Sequence, residues 1–325
     1  MNLPRRKFLQ LAAGAATLPA VSRPATAQAY PSRPVRLLVG FPAGGTTDIA
    51  VRLIGQWLSE RLGQPVIIEN RPGAGANLAA EAVVRAPADG YTLLAATSSN
   101  TINTTFYDKL SFNFARDIAM VAGITRSPLV LEVHPSLPVK TVPELIAHAK
   151  ANPGKVTLAS FGTGTTSHVA GELFKMTAGV TMLHVPYRGS APLLTDLLSG
   201  QVQAAFDNLP ASIEHIRAGK LRALAVGTAA RAEVLPELPT VGEFLPGFEA
   251  SAWVAVGAPK STPAEIIDKL NKEINAGLAD PRIKARLAEL GGTVFTGSAA
   301  DFDKLVAEQT EKWGKVIRAA NIKAD

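Results

Sequence analysis

A ten-residue pattern occurs twice, 120 residues apart. Phe41-Pro42-Ala43-Gly44-Gly45-Thr46-Thr47-Asp48-Ile49-Ala50 aligns with Phe161-Gly162-Thr163-Gly164-Thr165-Thr166-Ser167-His168-Val169-Ala170, and the shared pattern is F-x-x-G-x-T-[T/S]-x-x-A. Each copy follows a short apolar run and precedes apolar residues at helical spacing, so each reads as a turn between a strand and a helix. A second echo follows: Gly90 and the run to Thr97-Ser98 resemble Gly200 and the run to Asp207-Asn208. Short Gly/Thr strings also match by chance. The shared strand–loop–helix context favours duplication, with two similar α/β lobes facing each other across a cleft.

The rest of the chain has the same grammar. Strands are expected over 35–41, 66–69, 92–97, 129–133, 156–160, 182–185, 202–206, 221–226 and 253–256. Helices are expected over 48–62, 78–85, 142–150, 168–176, 192–198, 212–218, 263–278, 281–290 and 299–320. Such alternation implies parallel sheets with helices on both faces. The 325 residues suffice for two domains at roughly 150 residues each.

The formal charge of +6 hints at a polyanionic partner. Residues 1–27 account for most of it. They hold Arg5, Arg6, Lys7 and Arg23 and no acid, then an apolar run over 8–21, then the small-residue site Ala25-Thr26-Ala27. This is the layout of a secretory signal; the run is too short for the ~20 residues of a membrane span. Arg5-Arg6-Lys7-Phe8-Leu9 resembles the twin-arginine export address, with Pro4 and Gln10 departing from its usual flanks. Cleavage before Gln28 is expected, leaving 325 less 27, or 298 residues, and +6 less four, or +2. That balance carries no footprint for nucleic acid. No later stretch reaches 18 consecutive apolar residues. The expected destination is the periplasm. With no cysteine, disulfide frameworks, thiolate metal sites and Cys nucleophiles are excluded.

A glycine-rich turn before a helix aims backbone N–H groups and the positive end of the helix dipole at one point, which suits an anion. Gly44 and Gly45 allow close approach, and Thr46 and Thr47 add hydroxyls; the second copy offers Gly162, Gly164, Thr165 and Thr166. Caps and tight turns use the same residues. Two such loops at matched positions favour a ligand with negative groups. Neither fits a nucleotide: Ser167 replaces the third glycine of G-x-G-x-x-G, and Thr46 stands where a P-loop needs Lys. There is no G-x-S-x-G elbow and no H-E-x-x-H. The five histidines are scattered without ligand spacing, so no metal site and no cofactor are expected. His168 sits in the first turn of a loop helix, where capping or packing is its ordinary role. Asp48 holds the matching place and reads as a cap. Asp207 ends a strand at its carboxyl side, where such folds place ligands. It could accept from a ligand or serve an Asx turn. Arg188 could pair a carboxylate or stay solvated.

These residues together resemble the periplasmic solute receptors of tripartite tricarboxylate transporters, the Bug family. The resemblance spans about 30–322. It is carried by 41–48, Glu69-Asn70-Arg71-Pro72-Gly73-Ala74-Gly75, Asp89-Gly90-Tyr91-Thr92, 161–174, His184-Val185-Pro186-Tyr187-Arg188-Gly189 and Phe206-Asp207-Asn208. It implies a two-lobed type II periplasmic binding protein of α/β class, each lobe a mainly parallel sheet flanked by helices. Lobe one would be discontinuous, 28–126 plus 252–325, with lobe two at 127–251. It further implies a small carboxylate held by the loop from Phe41 through Ala43 to Asp48, by the loop from Gly162 to His168, and by Asp207. Thr97, Ser98, Tyr187 and Arg188 complete the candidate contacts. The protein would act as a monomer and meet membrane transporter subunits transiently. One departure stands out: Ala76 and Ala79 occupy positions where relatives often carry glycine. Two other classes stay open on the residues alone: an exported α/β enzyme acting on a carboxylic acid, and a sensory or scavenging receptor without a transporter.

Overall fold

The computed structural model describes residues 30–319 and 321–323. The export segment 1–27, the expected start at Gln28 and the last residue of the helix expected over 299–320 lie outside them.

Among the described residues, ten strands form one continuous curled sheet. In chain order they are β1 (Val35–Val39), β2 (Val66–Asn70), β3 (Thr92–Thr97), β4 (Ile118–Val133), β5 (Thr157–Ser160), β6 (Leu183–Pro186), β7 (Ala204–Asn208), β8 (Arg222–Val226), β9 (Ser251–Pro259) and β10 (Thr293–Val294). They are ordered β2-β1-β3-β9-β4-β7-β5-β6, with β8 and β10 also paired to β4. The two ends of the sheet are parallel, β2-β1-β3 and β7-β5-β6. The middle is antiparallel, because β4 and β9 carry the chain from one half of the sheet to the other and back. The first part of β4 pairs with β9 up to Pro128, and its last five residues pair with β7.

Each half has its own core. Leu37, Val39, Ile54, Leu93, Val256 and Leu270 fill one. Leu131, Leu158, Phe174, Leu193 and Phe206 fill the other, joined by Ile102 and Phe106 from the Ser98–Phe106 helix and by Trp313 and Ile317 from the Ala299–Ala319 helix. Nearly every residue of β1, β3 and β7 is buried, as strands covered by helices on both faces must be.

Two of the elements that escape the sequence patterns have a clear physical reason. The Ser98–Phe106 helix, SSNTINTTF, has poor helix formers and no apolar stripe. It forms because Asn100 Oδ1 accepts the Thr97 N–H (2.9 Å) and because tertiary packing buries it. The expected strand 129–133 is only the end of a 16-residue strand. Its earlier part holds Gly123, where a Cβ would lie 2.2 Å from the Phe295 carbonyl, and it shifts register twice against β9. A bulged, glycine-containing stretch ending at Pro128 reads locally as loop.

Candidate functional site

The carboxyl ends of β1, β3, β5 and β7 converge on one cleft, and each runs into a helix. Loop 40–45 opens the Thr46–Leu62 helix, and loop 161–165 opens the Thr166–Ala178 helix. β3 leads directly into the Ser98–Phe106 helix, and β7 into the Leu209–Arg217 helix. The Ser190–Leu198 helix adds a fifth N-terminus. Phe41 and Phe161, the first residues of the two echoed loops, meet edge to face at 6.1 Å and 85°. A hydrogen bond of 2.7 Å between Ser98 Oγ and Thr166 Oγ1 joins the two halves.

The aromatic pair divides the cleft. On the outer side is a cavity of about 250 Å³, lined by Phe41, Phe161, the 73–76 loop, Tyr107, Gly162, Thr163 and Pro186 to Arg188. On the inner side are two small spaces of about 20 Å³ each. Thr46, Thr47 and Asn208 line both; Gly45 and Ser190 border one, and Thr97, Ser98, Ser127, Thr166 and Trp253 the other. No acid, base or histidine lines either inner space. The polar part of the inner walls is hydroxyls, an amide and helix N-termini, set among Phe41, Phe161 and Trp253. Gly45 and Gly189 cap their helices without a side chain, which leaves first-turn N–H groups to face the cleft. Thr46 Oγ1, Ser127 Oγ, Asn208 Oδ1 and Trp253 Nε1, all of residues lining these spaces, are buried and make no hydrogen bond among the described residues. Buried polar atoms without partners are unusual in folded proteins, and an ordered water or a ligand group would satisfy them here.

Among the residues expected from sequence, Phe41, Gly45, Thr46, Thr47, Thr97, Ser98, Gly162, Thr166, Tyr187 and Arg188 line these spaces. Ala43 and Gly44 are exposed at the turn, and Gly44 takes φ +84°, which favours glycine. Asp48 and His168 are buried beneath their loops and clasp them: Gly44 N–H donates to Asp48 Oδ2 (3.0 Å) and Gly164 N–H to His168 Nδ1 (3.3 Å). Burial works to raise the Asp48 carboxyl, but hydrogen bonds from Arg52, Gly44 and Asn70 outweigh it and hold the group below the usual range. Burial, then His184 and Lys175, push His168 down to about 3, so it is neutral. Thr165 accepts the His168 N–H as a cap, and Gly164 packs against Asn103 and Phe106. The Tyr187 hydroxyl donates to Asp196. Asp207 lies behind the wall, fully buried; its Oδ1 accepts from Ser190 Oγ (2.5 Å) and from Asn208 N (2.8 Å). Burial raises Asp207 to about 7. Glu132, also fully buried, is raised well above the usual range by burial and then by Asp207.

Ser190, Asn208 and Ser127 escaped sequence reasoning. A signal existed for the first two: Asn208 stands in the echo of Ser98, and Ser190 follows a glycine at a helix start. His168, Glu172 and His184 bring possible metal-ligating atoms within 4.8 Å. The two imidazoles stack at 4.2 Å and 15°, and Lys175 Nζ lies 2.6 Å from Glu172 Oε1. A metal sits in the plane of each imidazole ligand at ~2.0–2.1 Å. Stacked parallel rings beside an ammonium suit packing instead.

Residues 50–322 match the family described as "Tripartite tricarboxylate transporter family receptor". Protein BugT of Bordetella pertussis is 37% identical over 306 residues, covering 93% of this chain and 94% of BugT. Among solved structures, R. palustris Rpa4515 with adipate superposes with a TM-score of 0.88 at 41% identity, covering 90% of this chain and 99% of that one. MatC (Rpa3494) from Rhodopseudomonas palustris with bound malate gives 0.85 at 32%, covering 89% and 100%. The two-lobed periplasmic binding fold, the echoed loops and these matches together place the chain in the tripartite tricarboxylate transporter receptor family, alongside the Bug proteins.

Proposed function

We propose that this receptor binds a small carboxylate in the cleft, holds it chiefly by backbone N–H groups and hydroxyls, and passes it to the membrane subunits of a tripartite transporter. One observation carries the reading: several helix N-termini converge on inner spaces that no charged side chain lines. Each terminus favours an anion by about 0.3–1 kcal/mol when exposed and up to ~2 when partly buried. Hydrogen bonds to a charged acceptor add ~1.5–3 kcal/mol each. A few of each reach the roughly −8 kcal/mol of micromolar binding. Arg188, exposed at the rim of the outer cavity, suits a second negative group. That adipate and malate occupy the similar Rpa4515 and MatC structures supports a dicarboxylate of similar size.

In this reading lobe one comprises 28–126 plus 252–325 and lobe two 127–251, and the lobes close about the crossings of β4 and β9. The protein is exported by its N-terminal segment and works as a monomer in the periplasm, without turning over its ligand. Among the described residues no helix is long and apolar enough to cross a membrane. A thermal-shift panel of mono-, di- and tricarboxylates with matching amides tests the reading. A ligand that binds only the native state raises the melting temperature, so an acid should shift it and its amide should not. Equal shifts by acid and amide, or chemical turnover of the bound acid, would overturn it.

A further inference from the structure

Two carboxyl groups lie behind the inner wall with no cation beside them. Asp207 sits opposite Val130 in the β4–β7 register, so Glu132 is its diagonal neighbour on the same face. Both are wholly buried, and neither makes an ion pair among the described residues. Ser212 Oγ donates to Glu132 Oε1 (2.8 Å) and acts on Asp207 as well. Asp207 Oδ1 takes its hydrogen bonds from Ser190 Oγ and the Asn208 N–H, whose residues border an inner space. Asp207 Oδ2 and Glu132 Oε2 have no partner. The other charged groups of the elements packed here are engaged elsewhere. On the Thr166–Ala178 helix Lys175 pairs with Glu172, and His168 is neutral. On the Ser190–Leu198 helix Asp196 accepts from Tyr187. On the Leu209–Arg217 helix Glu214 pairs with Arg217, and His215 stands beside them. On β4 and β8, Arg126 stacks on Phe295 and Arg222 donates to the Val139 carbonyl. None of these shifts Asp207 or Glu132.

Two buried carboxylates without a cation cannot both ionise, so the pair holds one proton firmly and a second less firmly. Loss of the second puts a negative charge on Asp207, one hydroxyl behind the helix starts that face the cleft. An anion held at those starts repels that charge; the repulsion acts across the wall and needs no direct contact. We propose that the Asp207–Glu132 pair is a proton site linked to the ligand site: the receptor binds its carboxylate most tightly with the pair protonated, and takes up a proton with the ligand when the empty receptor has lost one. The inference rests on the carboxylate reading and extends it. Burial raises Asp207 to about 7, which puts the linkage at neutral pH. A bound anion raises it further, so affinity falls as pH rises through that window.

Titration calorimetry with adipate and malate from pH 5.5 to 9, in two buffers of unlike protonation enthalpy, tests it. Free carboxylic acids ionise near pH ~4, so proton uptake above neutrality belongs to the protein. The dissociation constant should hold steady in acid and rise about tenfold above neutrality, the equivalent of one pKa unit of linkage. At pH 8 the heat should depend on the buffer, with a fraction of a proton taken up per ligand. Asp207→Asn should flatten the pH dependence and remove the buffer effect. Ser190→Ala removes a hydrogen bond that favours the ionised carboxyl and should move the rise to higher pH; it keeps the assignment testable should Asp207→Asn not fold. A pH-independent dissociation constant with no proton uptake would overturn the proposal and leave the carboxylate reading standing. So would uptake that persists in full in Asp207→Asn, or a rise that Ser190→Ala leaves in place. Failure of adipate, malate and every acid of the thermal-shift panel to bind would remove the carboxylate reading, and the inference with it.

Discussion

In the first echoed loop Gly44 donates to Asp48; in the second, Gly164 donates to His168 at the same spacing. The backbone task is shared, since each loop is tied to the first turn of its own helix. The side chains divide the rest. Asp48 is a carboxylate balanced by Arg52 and Asn70, and Gly45 leaves its helix start uncapped toward the cleft. His168 is neutral, and Thr165 has already taken the His168 N–H. Gly44 borders open space, whereas Gly164 packs against Asn103, Phe106 and Tyr107. The first loop therefore presents the more open helix start, and the second, besides its own helix start, docks against the opposite half. A duplicated scaffold can keep one clasp and specialise around it.

The largest effect expected from this contrast is on binding. A Cβ at Gly164 would lie 2.5 Å from Asn103 Oδ1 and 2.9 Å from the Phe106 ring. Gly164→Val should cost more than about 100-fold in carboxylate affinity, because the halves can no longer meet. Gly44→Val meets no neighbour and bears chiefly the ~1–2 kcal/mol of a left-handed side chain, so a loss of roughly tenfold is expected. Titration calorimetry on both variants decides; equal losses would mean that loop conformation, not docking, governs affinity.

Removing the clasps comes next. Asp48→Ala loses bonds from Gly44, Arg52 and Asn70 and should destabilise by about 2–4 kcal/mol in urea unfolding. His168→Asn, which keeps an acceptor, should cost less. Its signature is in pH. The folded pKa lies near 3 and below the ordinary histidine value. The unfolded chain therefore takes up the proton first, and stability is lost as pH falls from about 6.5 toward 3. The asparagine variant should lose that component of the slope.

Asp207 gives the opposite sign. Its folded pKa of about 7 lies above the ordinary 3.8, so its neutral form favours folding and stability declines as pH rises across that window. Asp207→Asn should flatten the decline, and Glu132, relieved of a like charge, should ionise more easily. Chemical denaturation at pH 4, 5.5, 7 and 8 reads both slopes; an unchanged slope in Asp207→Asn would show that the carboxyl is already paired.

The smallest effect is expected at Ala76, which takes φ +78° beside the outer cavity. Ala76→Gly relieves ~1–2 kcal/mol of left-handed strain and gives up about 0.8 kcal/mol of methyl burial. A gain of up to about 1 kcal/mol in stability is expected, with ligand affinity nearly unchanged.

Much of this was legible in the sequence. The parallel strands are apolar runs bounded by turn residues, and the repeated F-x-x-G-x-T pattern located both loops. What stayed hidden needed the third dimension. Ser98–Phe106 carries polar residues that only tertiary burial makes helical. Asp48 and His168 occupy loop helices yet turn beneath them, and no spacing rule tells a ligand-facing first turn from a clasping one. Asp207 has an acid's chemistry, but the strand end directs its neighbour Asn208 into the cleft, a one-residue distinction that alternation alone does not resolve.

The central claim is that helix N-termini of both loops hold the carboxylate. Backbone amide NMR of the labelled protein, titrated with adipate and malate, tests it directly. The account predicts saturable one-to-one shifts largest at the Thr46, Thr47, Thr166 and Ser167 amides, with Ala43 at the exposed turn moving less. Tight binding that leaves those amides in place and shifts others would contradict it.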